Sequence, residues 1–355
     1  MGTVIDMNDI ETMWVWIPRY SYTIGSEDGT NYYGKKGCYL ESEPTLELPG
    51  EIDVKFVSND IKDRGTARYV VDDGISDNSW YTPDAFTFGS VELNGIWVGK
   101  FETSSSNPGA SNGGGNTTSL DAMVKPNITS WRTISISNAF NVSLKMNDSG
   151  NRYGFTSNVD THMIKNSEWA AVSYLSQSKY GKIGNNDYSG VNKEIYQNKS
   201  NSFITGCSWG NPSGGTSADY GCQYTYDVEV NGTGASTTGT IYGIYDMIGG
   251  AWEYVMANYN DVVGNSGFTS MPESKYYDKY TSDNILIACN GKECLSHSLS
   301  EANEWYSDYH NMINDIRSWL ICGGRYANDI GTGVFAYNNP TGDSSWYTSF
   351  RLVIT

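Results

Sequence analysis

The clearest hydrophobic patterns of this chain lie near its two ends. Large apolar and polar residues alternate over Met13–Ile24, "MWVWIPRYSYTI", and again over Ile96–Thr103, which follows an Asn94-Gly95 turn. This period of two predicts half-buried strands, with Pro18 tolerated at a sheet edge or bulge. The apolar strip Phe350–Val353, close to the C-terminus, predicts a buried closing strand.

Two segments in the middle of the chain have apolar residues at helical spacing. The first is Ser130–Met146, and the second is Asp160–Gly181, where Asn166 or Ser167 is the expected cap. The Gly-, Asn- and Ser-rich stretch 104–118 predicts a loop. Short strands and long loops are expected after residue 181. Two helices among short strands indicate the α+β class.

Composition and charge exclude several classes of partner. The 355 residues carry a net charge of −17 and include 27 Tyr and 39 Gly. Abundant aromatic residues with only 18% charged residues argue against a disordered chain. No basic cluster offers a surface for nucleic acid. No apolar run is long enough for membrane insertion of this segment, and the first residues lack the pattern of a signal peptide.

Six cysteines are present without any CxxC pair, which argues against a structural zinc site. An Asn-Gly turn lies between Cys289 and Cys294 and favours a disulfide between them. Cys207 with Cys222 is the weaker candidate pair. The alternative, six reduced thiols, stays open at this point.

Four landmarks of the sequence carry a family resemblance. They are Thr240–Asp261 ("TIYGIYDMIGGAWEYVMANYND"), Asn166–Ala170 ("NSEWA"), Cys322–Gly324 ("CGG") and Ser349–Val353 ("SFRLV"). In this order they resemble the "GLYDMxGNVWEW", "EWEyA", "RGGSW" and "GFRxV" motifs of the formylglycine-generating-enzyme (sulfatase-modifying-factor) family, a branch of the C-type lectin fold. The resemblance implies one C-type-lectin-like domain over 1–355. Its fold would be α+β, with two helices, short twisted antiparallel strands and long irregular loops.

The residues needed for the chemistry of that family are missing from this sequence. The family enzyme oxidises cysteine with a cysteine pair placed after its "RGGS" turn. The matching positions here are Asn328 and, further on, Gly333 or Val334. The three histidines, at 162, 297 and 310, do not supply the iron site of related members. We therefore expect no enzymatic activity, with a metal-dependent oxidase using Cys322 as the alternative.

The C-terminal segment 322–355 is similar to a second branch of the fold, the variable proteins of diversity-generating retroelements. Between Gly323-Gly324 and Phe350, small and apolar residues alternate with Asn, Asp, Thr, Tyr and Ser. The resemblance implies a fixed frame that displays variable contact residues, and such side chains suit binding surfaces. The expected ligand-binding residues are Arg325, Tyr326, Asn328, Asp329, Ile330, Tyr337, Asn338, Asn339, Thr341, Asp343, Ser344, Trp346 and Tyr347.

The resemblance also implies a partner and a location. The partner would be a protein or glycan receptor on a cell surface, and the protein would be extracellular, on a cell surface or a virion tail. No cofactor is required. Structural calcium at Glu253 is a lesser expectation, because Gly250 replaces an Asn that would supply an oxygen ligand. A purely structural tail or pilus subunit is a further alternative, and the oligomeric state is left open.

Overall fold

The fold is given by a computed structural model, which describes residues 5–24, 52–65, 80–107, 109–178, 180–181, 205, 236–238, 243–281, 295–299, 302, 308–328 and 331–355. These residues form a mixed α+β structure with two helices, α1 (Ile136–Lys145) and α2 (Asn166–Ser176). The strands are β1 (Trp14–Pro18), β2 (Tyr20–Ile24), β3 (Ile52–Phe56), β4 (Thr87–Phe88), β5 (Val91–Glu92), β6 (Gly95–Gly99), β7 (Ser104–Ser105), β8 (Ala122–Met123), β9 (Thr161–Met163), β10 (Trp252–Tyr259), β11 (Asp278–Tyr280), β12 (Trp319–Cys322), β13 (Tyr337–Asn338), β14 (Thr348–Phe350) and β15 (Leu352–Ile354).

Two sheets contain most of the longer strands. The four-stranded sheet has the order β1-β6-β15-β9 and is antiparallel throughout. The five-stranded sheet has the order β11-β10-β12-β13, and β14 also pairs with β10. Both β11 and β14 run parallel to β10, so the expectation of antiparallel strands alone is wrong. Parallel neighbours need long connections, which a strand pattern in the sequence does not reveal.

The N-terminal strand predicted over Met13–Ile24 is in fact two strands that belong to different sheets. β1 pairs with β6, and β2 pairs with β3. Arg19 separates them, and its buried guanidinium donates to the carbonyls of Ile61, Phe86 and Leu93. The chain bends at Arg19, where three other parts of the backbone supply acceptors for its buried guanidinium.

Both predicted helices exist, with shorter bounds than the apolar pattern indicates. Ser135 caps α1, and its hydroxyl accepts a hydrogen bond from the Asn138 N–H. The expected cap of α2 at Asn166 or Ser167 is wrong, because Lys165 occupies the cap position. A distant carboxylate, Asp278 on β11, accepts the Ser167 N–H at 2.6 Å. A carboxylate at a helix N-terminus accepts hydrogen bonds from free N–H groups and interacts favourably with the helix dipole. Here the carboxylate comes from a strand more than a hundred residues away in the chain.

Strand β10 forms the centre of the five-stranded sheet and of the core. Seven of its eight residues are buried, and every residue of α2 is buried as well. Trp169 on α2 and Trp319 on β12 are fully buried. Within the described residues, neither helix is long and apolar enough to cross a membrane.

Candidate functional site

The C-terminal segment leaves and rejoins the sheet at the same end of β10. On one side of β10, Cys322 at the end of β12 lies opposite Glu253. On the other side, Thr348 at the start of β14 lies opposite Trp252. The segment between them, which includes β13, therefore has both its ends held at a base of three adjacent strands, β12, β10 and β14. Such a base fixes the ends of the loop and limits the conformational entropy that binding removes.

Two glycines make the exit from β12 possible. Gly323 and Gly324 have φ angles of +89° and +75°, a region that other residues rarely adopt. A Cβ on Gly323 would lie 2.3 Å from the Met247 carbonyl oxygen. A Cβ on Gly324 would lie 2.7 Å from the Thr332 side chain. The expectation that this pair belongs to the frame agrees with this geometry.

The middle of the segment packs into the core. Residues 332–337 are buried, and the indole N–H of Trp169 donates to the Val334 carbonyl at 2.8 Å. Tyr337 is fully buried, and its hydroxyl is hydrogen-bonded to Ser298. Asn339 is 7% exposed and donates to the Met312 carbonyl. The expectation that Tyr337 and Asn339 are displayed is therefore wrong, because residues 298 and 308–312 cover them.

Three of the predicted contact residues come together at the surface, and we name them the Arg325 cluster. The Arg325 guanidinium lies 5.3 Å from the ring centroid of Trp346 and 5.1 Å from that of Tyr347. The two rings meet edge to face with centroids 5.5 Å apart. Trp346 is 49% exposed. Cation–π stacking and the ring pair hold the three side chains as one unit.

The backbone beneath the Arg325 cluster is fixed by hydrogen bonds. Arg132 donates to the Trp346 carbonyl at 3.0 Å, and the Trp252 N–H donates to the Tyr347 carbonyl at 2.9 Å. In contrast, the Arg325 guanidinium donates no hydrogen bond to any residue that the structure describes. A guanidinium has five N–H donors, so the cluster offers donors to a partner from a fixed support.

Six of the remaining predicted residues are at least partly exposed elsewhere on the segment. Tyr326, Asn328, Asn338, Thr341 and Ser344 are partly exposed, and Asp343 is exposed. Several stabilise the loop itself: the Asn328 side chain accepts the Arg325 N–H at 3.0 Å, and the Thr341 hydroxyl donates to Asp343 at 2.7 Å. Asp329 and Ile330 lie outside the described residues, as do Cys289 and Cys294 of the predicted disulfide.

The sequence pattern missed one aromatic residue at this surface. Tyr309 is 45% exposed, and its N–H donates to the Gly331 carbonyl within the C-terminal segment. The amide of the neighbouring Asn311 donates both to the Tyr309 hydroxyl and to Asn338. Because Tyr309 precedes the segment in sequence, only its tertiary position brings it there.

Below the loop lies a group of buried charges. Arg351 donates to both carboxylate oxygens of Glu253 and to the carbonyls of Gly99 and Tyr245. Glu102 lies nearby, where burial and the charges of Glu253 and Asp246 raise its pKa well above its usual range. Because the guanidinium binds both Glu253 oxygens, this carboxylate does not fit the calcium site that the resemblance implies. No group of three metal-binding side chains occurs in the described part of the chain.

Cys322 is inaccessible and is held as a thiol. Its side chain is fully buried, and burial together with the charge of Glu253 raises its pKa well above its usual value. Within the described residues it is a free cysteine whose sulfur lies 3.9 Å from the Asn166 amide oxygen. A thiol in such surroundings is a poor nucleophile and a poor metal ligand.

A buried acid supports the C-terminal segment from below and gives it a pH dependence. Asp308 accepts the Phe335 N–H at 3.0 Å, and burial raises its pKa from 3.8 to about 8. A group with a raised pKa in the folded state stabilises it fully below pH 3.8 and loses that contribution as pH rises through about 8.

We therefore expect Asp308→Asn, which keeps the shape and removes the ionisation, to become more stable relative to the parent as pH increases from 5 to 9. Urea unfolding of both proteins at several pH values measures this difference. Contributions from other titrating groups cancel in the comparison of parent with variant. Unfolding midpoints that stay parallel across the range would contradict the assignment.

Comparisons with known proteins give a likeness at the level of structure alone. No protein-family model and no curated protein sequence matches the chain. Among solved structures, the chain is similar to "Treponema denticola variable protein 1", with 14% sequence identity and a TM-score of 0.31, over 80% of this chain and 89% of that chain. At this level of identity and superposition, the function has to be argued from the residues of the chain itself.

Proposed function

We propose that this protein binds a protein or glycan receptor on a cell surface through the Arg325 cluster and its neighbours on the C-terminal segment. The observation that carries the proposal is the arrangement of Arg325 over Trp346 and Tyr347. Trp, Tyr and Arg are the residue types enriched at binding hot spots. Here they lie at the surface on a backbone that the core holds in place.

The proposal extends the resemblance to the variable proteins of diversity-generating retroelements. In such a protein the C-type-lectin-like frame is constant, and the residues between Gly324 and Phe350 vary. The protein would then act outside a cell, on a cell surface or a virion tail, and bind without catalysing a reaction. The buried thiol of Cys322 supports a binding role over an oxidase that uses this residue.

The binding proposal is tested by alanine substitution of Arg325 and Trp346. Fluorescently labelled protein is titrated onto an array of immobilised glycans and onto a panel of intact bacterial cells. On every surface that binds the parent protein, we expect each substitution to weaken binding by about 2 kcal/mol or more. The matched control is Trp97→Ala, because Trp97 is 44% exposed on the other sheet. Binding that is equal for parent and variants would contradict the proposed site.

A separate test addresses the retroelement class. A near-copy of the coding sequence for residues 322–355, placed beside a reverse-transcriptase gene and differing only at adenines, is expected in the source genome. Absence of such a copy would indicate that the binding surface is fixed and does not vary.

Self-association of the protein in sedimentation experiments, with no binding to any glycan or cell, would support the alternative of a structural tail or pilus subunit.

A further inference from the structure

A polar cavity lies on another part of the molecule, away from the Arg325 cluster. Its volume is about 280 Å³, and it is lined by Lys62, Asp84, Thr87, Gly89, Lys165, Ser274, Lys275, Tyr277 and Asp278. The wall that contains Asp278 belongs to β11, which pairs with the Ala257–Tyr259 end of β10. The C-terminal segment meets the opposite end of that strand, at Trp252. The two sites are therefore separate.

Three lysines converge on this cavity in a chain whose net charge is −17. The Lys165 side chain is 6% exposed, and its ammonium lies 3.7 Å from the Glu168 carboxylate and 5.7 Å from the centroid of the Phe88 ring. Lys275 lies 3.5 Å from Asp160. Both carboxylates are shared with the buried His162, which is 3.0 Å from each. Lys62, in contrast, donates to the Thr87 hydroxyl and to Glu92. Because an ammonium has three N–H donors, Lys165 and Lys275 each keep at least one for a ligand.

The two carboxylates of the cavity are held by other groups in its wall. Asp278 accepts the N–H and hydroxyl of Ser167. Asp84 lies 3.0 Å from Arg64 and 3.4 Å from His297. Although burial opposes ionisation, the hydrogen bond and charge of His297, followed by the charge of Arg64, lower the pKa of Asp84. The Asp84 carboxylate therefore stays anionic, and the oxygens of both aspartates have lone pairs that can accept hydrogen bonds from hydroxyl groups.

These charges restrict the chemistry of a ligand. A cation would meet three ammonium groups, and a doubly charged phosphate would meet two carboxylates whose positions are fixed. A group with one negative charge and several hydroxyls satisfies both sets, because its carboxylate pairs with the lysines and its hydroxyls donate to Asp84 and Asp278. The Tyr277 ring offers an apolar surface for the C–H face of a sugar. The volume is at the lower end of small-molecule sites, which suits a single sugar unit.

We propose that the cavity lined by Lys165, Lys275 and Asp278 binds an acidic monosaccharide unit, such as a uronic or sialic acid. The carboxylate of the sugar binds between the Lys165 and Lys275 ammonium groups. Its hydroxyls bind the two aspartates, Ser274 and Thr87. This site acts independently of the Arg325 cluster, so that the protein has two recognition sites.

The test is isothermal titration calorimetry of the full chain with the methyl glycosides of glucuronic acid and N-acetylneuraminic acid. Methyl glucoside and inorganic phosphate are the competing probes. We expect saturable binding of at least one acidic sugar, with both competing probes weaker by about tenfold or more. Lys275→Gln is expected to weaken the acidic sugar about tenfold. Lys145→Gln is the matched control, because Lys145 is a paired lysine of similar exposure, 38% against 31% for Lys275.

A second variant keeps the test decisive if Lys275→Gln does not fold. Ser274 is exposed at the cavity, so Ser274→Glu adds a negative charge there with little risk to the core. It is expected to abolish binding of the acidic sugar while the melting temperature stays near that of the parent. Absence of saturable binding to both acidic sugars, equal binding of the neutral glucoside, tighter binding of phosphate, or no effect of either cavity variant would each overturn the proposal.

Discussion

Replacing Arg351 with alanine is expected to lower the free energy of unfolding by about 3–5 kcal/mol. The guanidinium is fully buried and donates to Glu253 through both its Nε and a terminal nitrogen. It also ties together the carbonyls of Gly99 and Tyr245. Its removal leaves Glu253 in the core without its cation and two backbone carbonyls without this donor. Breaking a buried pair on one side is far more costly than the pair itself is stabilising.

Urea unfolding followed by tryptophan fluorescence measures this loss. Lys145→Ala is the control, because Lys145 forms an exposed ion pair with Asp121 at 2.9 Å, and such pairs contribute at most about 1 kcal/mol. Arg351→Lys keeps the charge without the planar fork of donors and should fall between the two. Similar losses for Arg351→Ala and Lys145→Ala would show that the buried pair does not hold the frame.

The second large effect is expected from Trp169→Ala, with a loss of about 3–5 kcal/mol. Trp169 on α2 is fully buried against the C-terminal segment, where its indole N–H donates to the Val334 carbonyl. Alanine would leave a cavity under the loop that supports the Arg325 cluster and would remove the shorter of two hydrogen bonds to the Val334 carbonyl, to which the Ser173 hydroxyl also donates at 3.4 Å. We expect the loop to lose its fixed position together with the stability of the core.

Tryptophan-to-alanine substitution at Trp346 distinguishes a surface contact residue from a core residue. Trp346 is 49% exposed, so Trp346→Ala should lower the unfolding free energy by no more than about 1 kcal/mol, the scale of an exposed cation–π contact. Trp346→Ala should weaken binding directly, because it removes a contact residue. Trp169→Ala should weaken binding only as far as it unfolds or displaces the loop. Equal destabilisation by the two substitutions would mean that Trp346 belongs to the core and that the proposed surface is misplaced.

The C-terminal segment shows how far sequence reasoning reaches. The Gly323-Gly324 turn and the Phe350–Val353 strip were sufficient to predict a fixed frame. The polar residues and Tyr that alternate with small and apolar residues between them predicted contact residues, and three of those predicted, Arg325, Trp346 and Tyr347, form one surface cluster. The same reasoning placed Tyr337 and Asn339 at the surface, where they are not. Tyrosine and asparagine occur both in binding loops and in cores, where their polar atoms find partners, so residue type alone does not decide between the two.

By itself, the sequence determined the elements of this protein and the general nature of its surface. Periods of two and of 3.6 residues are local properties, and they identified the early strands and both helices. The net charge of −17 predicts a partner other than nucleic acid. The tertiary structure decided which residues are exposed and which partners they have. It brought Tyr309 beside the C-terminal segment, Asp278 to the start of α2, and Lys165 and Lys275 to one cavity. These contacts join residues far apart in the chain, because burial and ion pairing depend on distance in space, which a local pattern does not encode.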